Sequence, residues 1–403
     1  MNKIDRIGEN EYQYVHEVLQ DGFHTSVNGK MTKRLEEAFA GKYNVKYAIA
    51  LCNGTATLHA ALEAAGIGNG DEVIVPPLTM ASTTLAVLHA NAIPVFADID
   101  PDTFEISVSA IKKVITPRTK AIIPVSLFGL APDFDPILEI ARQHNLIIIE
   151  DDAQCFLGRY KDRLVGTIGD IASFSFQSSK HMTSGEGGML ITDNEELAGK
   201  IRRYSGLGYA SVSARKGRIT KGDIQDPYYS RHIAIGWNYR ISDICSAVAL
   251  GQLERLDELN AFRTESALRH ARVLSQVPWL IPQKFGPEYS HAWWSYPVKI
   301  ADDRLVWKDF YNYYIAAGGP GFYAAWKLTY REPFMQKREW AGREKYVPGY
   351  VDLHYPNSGL CPIAETIQPQ LMLFKTNYWD LALLDKDMAA LEKTVDFFDR
   401  QLH

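Results

Sequence analysis

The chain has few cysteines, no long apolar run and no strong net charge, and each shortage excludes something. Only four cysteines occur in 403 residues: Cys52, Cys155, Cys245 and Cys361. None is paired at CxxC spacing, so a disulfide scaffold is not expected and a reducing, cytoplasmic compartment is. No apolar stretch approaches the ~18 residues of a membrane-spanning helix. Residues Met1 to Arg6 are polar and lack an apolar core, so no secretory signal is expected there. The 43 Lys and Arg against 48 Asp and Glu leave a net charge of −5, which gives no support to nucleic-acid or anionic-membrane binding. There is no G-x-x-x-x-G-K-[ST] turn, so a P-loop fold is not expected. The nearest approach to G-x-G-x-x-G is Gly66-Ile67-Gly68-Asn69-Gly70. It follows a helix-like stretch and precedes a strand-like one, the wrong order for a dinucleotide turn. It reads as a helix C-cap plus turn, and a nicotinamide-dependent oxidoreductase is disfavoured.

What remains is an ordinary globular composition, 46% apolar and 23% charged, long enough for two or three domains. Short apolar runs stand at 48–51, 72–75, 94–97, 121–127, 146–150, 172–176 and 189–192. Helix-like stretches at 55–65, 79–90, 108–114 and 136–144 lie between several of them. Continuous apolar strands alternating with helices predict an α/β domain whose mostly parallel sheet is covered on both faces. Residues 241–275 read as a long helical region, with Leu250, Leu253, Leu256 and Leu259 three apart. Beyond about residue 276 aromatics crowd together (Trp293, Trp294, Tyr296, Trp307, Phe310), and a second, smaller domain is expected to close with a helix at 385–402. The Trp293, Trp294 and Tyr296 cluster could line a pocket, although large aromatics mostly serve packing.

Three segments carry chemistry. At Asn53-Gly54-Thr55-Ala56-Thr57 a strand ends, Gly54 permits a turn and Thr55 opens an Ala-rich helix. Such a helix start presents free N–H groups to a phosphate; alternatively its own Thr or Asn caps it. At Glu150-Asp151-Asp152 a buried strand ends in three acids, where ligands of open α/β sheets bind; the alternative is a solvated loop, and a metal site lacks a nearby His. At Ser175-Phe176-Gln177-Ser178-Ser179-Lys180-His181 a strand runs into a polar loop with a lone lysine, followed by Gly185-Glu186-Gly187-Gly188. A lysine held in a site can form a Schiff base with an aldehyde, whereas His181 reads as a polar neighbour. A lysine for an aldehyde, a carboxylate for a pyridinium nitrogen and a helix N-terminus for a phosphate are together what pyridoxal 5'-phosphate (PLP) requires.

The chain resembles the DegT/DnrJ/EryC1/StrS family of PLP-dependent sugar aminotransferases. The motifs are Asn-Gly-Thr-Ala at 53–56, Gly-Asp-Glu-Val at 70–73, Glu-Asp-x-Ala-Gln at 150–154, Gly-Thr-x-Gly-Asp at 166–170, Ser-Phe-x-x-x-Lys at 175–180, Gly-Glu-Gly-Gly at 185–188 and Gly-x-Asn-Tyr-Arg at 236–240. The resemblance implies a type I PLP-transferase fold. Residues 1–255 would form a large α/β domain on a mostly parallel, mixed seven-stranded sheet, and 256–403 a smaller α+β domain, with the N-terminal segment able to pack on the latter. It implies that Lys180 binds PLP as a Schiff base and moves the proton, and that Asp151 pairs with the pyridinium nitrogen. Gln154 would contact the ring, while Gly54, Thr55, the Ala56 backbone and Ser175 would hold the phosphate. Asn238 would reach the cofactor of a neighbouring subunit in a homodimer. Met80 stands where the family often has a stacking aromatic, and a thioether can still pack on a ring face. After Pro362-Ile363-Ala364-Glu365 the segment 373–377 departs from the family's usual ending.

The expected activity is transfer of an amino group from L-glutamate or L-glutamine to a keto group of a sugar, nucleotide-linked in the favoured reading, or of a cyclitol. A sister branch that dehydrates keto-sugars carries His in place of the lysine. Here Ser-Phe before and Gly-Glu-Gly-Gly after hold Lys180, not His181, in register. A catalytically silent regulatory homologue is the remaining alternative, against which the intact Lys180, Asp151 and Thr55 stand.

Overall fold

The computed structural model of the chain describes residues 2–22, 29–216, 222, 225–338 and 354–402. Two helices, α1 (Glu9–Gln20) and α2 (Lys30–Tyr43), lead into the predicted alternation. It runs β1 (Tyr47–Leu51), α3 (Gly54–Ala64), β2 (Glu72–Val75), α4 (Ser82–His89), β3 (Ile93–Phe96), α5 (Val108–Val114), β4 (Thr119–Ile122), α6 (Phe134–His144) and β5 (Ile147–Asp151). Two short strands, β6 (Arg159–Tyr160) and β7 (Arg163–Leu164), intervene before β8 (Ile171–Ser175), β9 (Gly188–Thr192) and α7 (Glu195–Ser205). The seven long strands form one sheet in the order β1-β9-β8-β5-β4-β2-β3. Pairings are parallel except at β9, which runs against both β1 and β8. The expected mixed seven-stranded α/β sheet is therefore present. The carboxyl ends of β1, β5 and β8 share one edge of it, the edge where open α/β sheets bind ligands.

Two sequence readings change in detail. The apolar run 121–127 gives a strand only to Ile122. Pro124 has no N–H to donate, so ladder pairing lapses there, although its carbonyl still accepts from Asp151 N–H at 2.9 Å. The region 241–275 is two helices, α8 (Asp243–Glu254) and α9 (Leu256–Leu274), broken at Arg255. Leucines three apart rotate by about 60° per step on a 3.6-residue helix, so one straight helix could not bury all four. With the break, Leu250, Leu253, Leu256 and Leu259 are all buried. Arg255 itself donates to Asp5 O at 2.7 Å.

Downstream lies a four-stranded antiparallel sheet in the order β10-β12-β14-β13. Its strands are β10 (Leu280–Pro282), β12 (Ser295–Ile300), β13 (Tyr323–Ala324) and β14 (Leu371–Lys375), while β11 (Tyr289–Ser290) pairs with β6. It packs with α9, α10 (Trp307–Ala316) and a C-terminal helix, Leu381–Leu402, around Tyr296, Phe310, Tyr314, Phe374 and Phe398. The N-terminal segment joins this core. Ile4 N–H donates to Trp379 O, and Leu381 N–H to Asn2 O, each at 2.9 Å.

Strand β8 shows how alternation serves the site. Ala172 and Phe174 face α2, while Ser173 lies against α3, its Oγ 2.6 Å from Thr57 Oγ1. Phe174 is fully buried, with ring centroids of Phe39, Tyr43 and Phe156 at 5.3, 5.0 and 5.1 Å. Phe174→Ala is expected to cost about 3–5 kcal/mol, seen as a lowered apparent unfolding temperature. A melt unchanged within a degree would refute this account of the packing.

Candidate active site

One cavity of about 1050 Å³ opens at the sheet edge just described. Gly54, Thr55, Ala56, Met80, Asp151, Gln154, Ser175 and Lys180 all line it. Asn238 is exposed and does not line it; its backbone bridges to Gly206 beside Tyr239, which does.

At the α3 start the capping alternative is present, and two amides stay open beside it. Asn53 caps it, its Oδ1 accepting from Ala56 N–H at 2.8 Å. The Ala56 amide is thus engaged, a departure from its expected use, and the amides left open among the described residues are those of Gly54 and Thr55. Close packing sets this turn. A methyl on Gly54 would sit 2.8 Å from Ser175 Cβ, and one on Gly188 would sit 2.9 Å from Asn53 C and O. Only glycine lets the helix start approach β8 and β9 this closely.

The three acids part company. Glu150 points into the loop at 166–170, accepting from the amides of Gly166, Ile168 and Gly169 at 2.8, 2.7 and 2.6 Å. Burial pushes its carboxyl up to about 7, against those three donors. Asp152 accepts from Ser126 Oγ at 2.7 Å, and burial, then the nearby Glu150, raises its pKa well above the usual range. Asp151 alone faces the cavity. Its Oδ2 accepts from Thr83 Oγ1 at 2.8 Å and its Oδ1 from Ala153 N–H at 3.3 Å. Burial raises its pKa, opposed by those donors and by Lys180. None of the three is on a solvated loop.

Lys180 follows β8 on a turn closed by its own N–H to Gln177 O at 2.9 Å. Burial pulls its amine down to about 8; Asp151 opposes the shift and Arg263 adds to it. Its Nζ lies 5.2 Å from the Trp294 ring centroid. The aromatic cluster therefore divides: Trp294 lines the cavity with Trp326, stacked 5.6 Å from it, while Trp293 and Tyr296 pack in the downstream core. His181 is fully buried with Nε2 2.8 Å from Ala292 O and does not line the cavity, whereas Lys180 does. Gln154 Oε1 accepts from Phe128 N–H at 2.7 Å, which leaves its amide NH₂ for the cavity. No cluster of metal-ligating side chains occurs among the described residues.

The sequence reading missed Thr83, Trp326, Lys375 and Asn377, which support or line the cavity, and Arg6 and Arg263, which hold the Lys180 turn. Their one legible signal is Arg263, a charge on the buried stripe Leu259, Arg263, Ser266 and His270 of α9.

Residues 5–349 match the DegT/DnrJ/EryC1/StrS aminotransferase family. The chain is 39% identical over 298 residues to the spore coat polysaccharide biosynthesis protein SpsC of Bacillus subtilis, covering 74% of this chain and 75% of that one. It is 39% identical over 309 residues to GDP-perosamine synthase of Caulobacter vibrioides, covering 75% and 78%. An aminotransferase structure from Psychrobacter cryohalolentis superposes with a TM-score of 0.83 at 27% identity, over 96% of this chain and 97% of that one. The chain belongs to the DegT/DnrJ/EryC1/StrS aminotransferase family.

Proposed function

We propose that the protein transfers the amino group of L-glutamate or L-glutamine to a keto group on a nucleotide-linked sugar, or a cyclitol, using PLP held in the cavity. The observation that carries this is convergence: an amine, a buried carboxylate and an open helix N-terminus meet on one cavity wall. Its likeness to two proteins named GDP-perosamine synthase supports the nucleotide-linked sugar.

The residues fit the cofactor. Gly54 and Thr55 amides and the Ser175 hydroxyl supply donors for a phosphate at the α3 N-terminus, on a cradle that a Gly54 side chain would fill. Asp151, buried and raised by that burial, has no cationic partner in direct contact among the described residues and is suited to one. When bound, PLP supplies an aldehyde for amines and an electron-withdrawing ring. Asp151 would hold a proton on the ring nitrogen. Lys180 Nζ would be the amine that holds the aldehyde and, once freed, the base that moves the proton of the donor's Cα. Gln154 NH₂ and the Met80 thioether orient the ring. The apolar groups Trp294 and Trp326 narrow access for water. Asn238 of a second copy would complete the phosphate site; exposed Ile235 and Trp237, next to it in sequence, support a homodimer. No described helix is long and apolar enough to cross a membrane; the sparse, unpaired cysteines support a cytoplasmic enzyme.

The test is an absorbance spectrum of the protein with PLP, before and after L-glutamate. A visible band that converts to the near ultraviolet is expected. A band indifferent to glutamate and glutamine would reject those donors, and no band would reject the cofactor.

Capture of PLP should rise with pH. Only the neutral amine attacks, and with a pKa of about 8 roughly one amine in ten is neutral at pH 7, against about one in 3000 at the ordinary 10.5. Stopped-flow capture rates should climb about tenfold per pH unit and level off above pH 8. A continued climb to pH 10 would contradict the burial argument.

A further inference from the structure

We propose that Arg263 and Arg6 form a two-guanidinium clamp on the backbone of the Ser179–His181 turn, positioning Lys180 and placing the Arg263 charge behind its amine. The proposal rests on the reading of Lys180 as the amine that takes the cofactor.

Three consecutive carbonyls receive four charged donors. Arg263 donates to Ser179 O at 2.8 Å and Lys180 O at 3.0 Å. Arg6 donates to Lys180 O at 2.9 Å and His181 O at 2.7 Å. Arg263 also donates to Trp294 O at 3.0 Å and to Thr376 Oγ1 at 3.1 Å. One side chain thereby ties the lysine turn to the start of β12 and the end of β14, both of which wall the cavity. A planar guanidinium with five fixed donors can span these acceptors; an ammonium cannot.

The arrangement is costly unless it serves position or charge. Arg263 is fully buried, and among the described residues neither guanidinium has a carboxylate at ion-pair distance. Carbonyls, the Thr376 hydroxyl and the Trp379 ring, 4.6 Å from Arg6 Cζ and 5.8 Å from Arg263 Cζ, face them, and Glu11 of α1 acts on Arg6 from beyond ion-pair distance. An apolar side chain of similar volume would pack here without that desolvation cost. Burial and the neighbouring Arg6 pull Arg263 down to about 9, so it remains charged at neutral pH.

Other groups around the Lys180 amine do not cancel this field in the same way. Asp151 at the end of β5 opposes it. Glu186 on the glycine-rich turn, Lys375 at the end of β14, and His89 and Tyr239 lie on the cavity wall. His181 is neutral, since burial holds its pKa well below the usual value.

The test uses the full-length chain freed of cofactor. Acetic anhydride labelling of Lys180, read by peptide mass spectrometry across pH, gives the amine midpoint. Amide hydrogen exchange over residues 177–184 reports the turn. Arg263→Met should raise the midpoint by about one unit, so that labelling at pH 7 falls about tenfold, and should speed exchange in the turn. Arg263→Lys should restore the midpoint but not the protection. A folded Arg263→Met protein with wild-type midpoint and exchange would overturn the proposal. Should Arg263→Met not fold, Arg6→Met decides: faster exchange in the turn supports the clamp and unchanged exchange overturns it. The cofactor reading fails separately, if PLP leaves wild-type Lys180 unprotected from labelling.

Discussion

Lys180→Ala should abolish the visible band formed with PLP and lower amino transfer by at least about 10,000-fold, while leaving the melt nearly unchanged. The size follows from two duties on one atom. On the proposed function Nζ is both the nucleophile that binds the aldehyde and the base that moves the donor's proton, and a positioned base alone contributes about 100- to 10,000-fold. The other lysine on the cavity wall, Lys375, sits at the end of β14, and its amine is 3.9 Å from Asp387 Oδ2. Stability should survive because a partly buried amine pulled down to about 8 is not a stabilising feature of the fold. Removing it relieves desolvation and leaves both guanidinium contacts to the main chain, which do not use the Lys180 side chain. The measurement pairs a coupled transamination assay with thermal unfolding. Retention of more than about a tenth of the activity in a folded variant would falsify the role of Lys180.

Much of this site was legible because strand ends and helix starts announce themselves locally. The run Ile147-Ile148-Ile149 needed only apolarity to be read as a strand covered on both faces, and Gly54 needed only its place between a strand and an Ala-rich run. The identity of the working acid was less legible. Consecutive acids at a strand end point in different directions, and what separates Glu150 and Asp152 from Asp151 is which distant loop receives them. For Glu150 that loop is the Gly-Thr-x-Gly-Asp motif itself, whose amides hold its carboxylate. The motif therefore marks a support, not a ligand site. Supports drawn from far along the chain left almost no local trace. Arg6 and Arg263 meet the lysine turn across 174 and 83 residues, and Thr83 meets Asp151 across 68. Arg263 on an otherwise buried helical stripe was the exception, because a charge on an apolar face needs a partner somewhere.

Asp151→Asn should lower amino transfer by about 100- to 10,000-fold and still allow the cofactor to bind. The substitution keeps shape and volume but removes the charge. In the native site burial pushes the carboxyl toward its neutral form, and Thr83 Oγ1, Ala153 N–H and Lys180 resist that push. In the proposed complex a ring N–H⁺ would add the opposite charge beside it, in a setting where such a pair is worth more than in water. An amide would not hold that proton on the ring nitrogen, so electron withdrawal should weaken while the proposed phosphate donors at Gly54, Thr55 and Ser175 are untouched. Lys180 still captures PLP in this variant, and the loss should fall on kcat more than on cofactor affinity. Thr83→Val removes one hydrogen bond to the charged form, worth about 1.5–3 kcal/mol, and should act in the same direction with a smaller effect. If both variants kept wild-type kcat with bound PLP, the ring nitrogen would not face Asp151, and the cofactor's orientation in the cavity would have to be reversed.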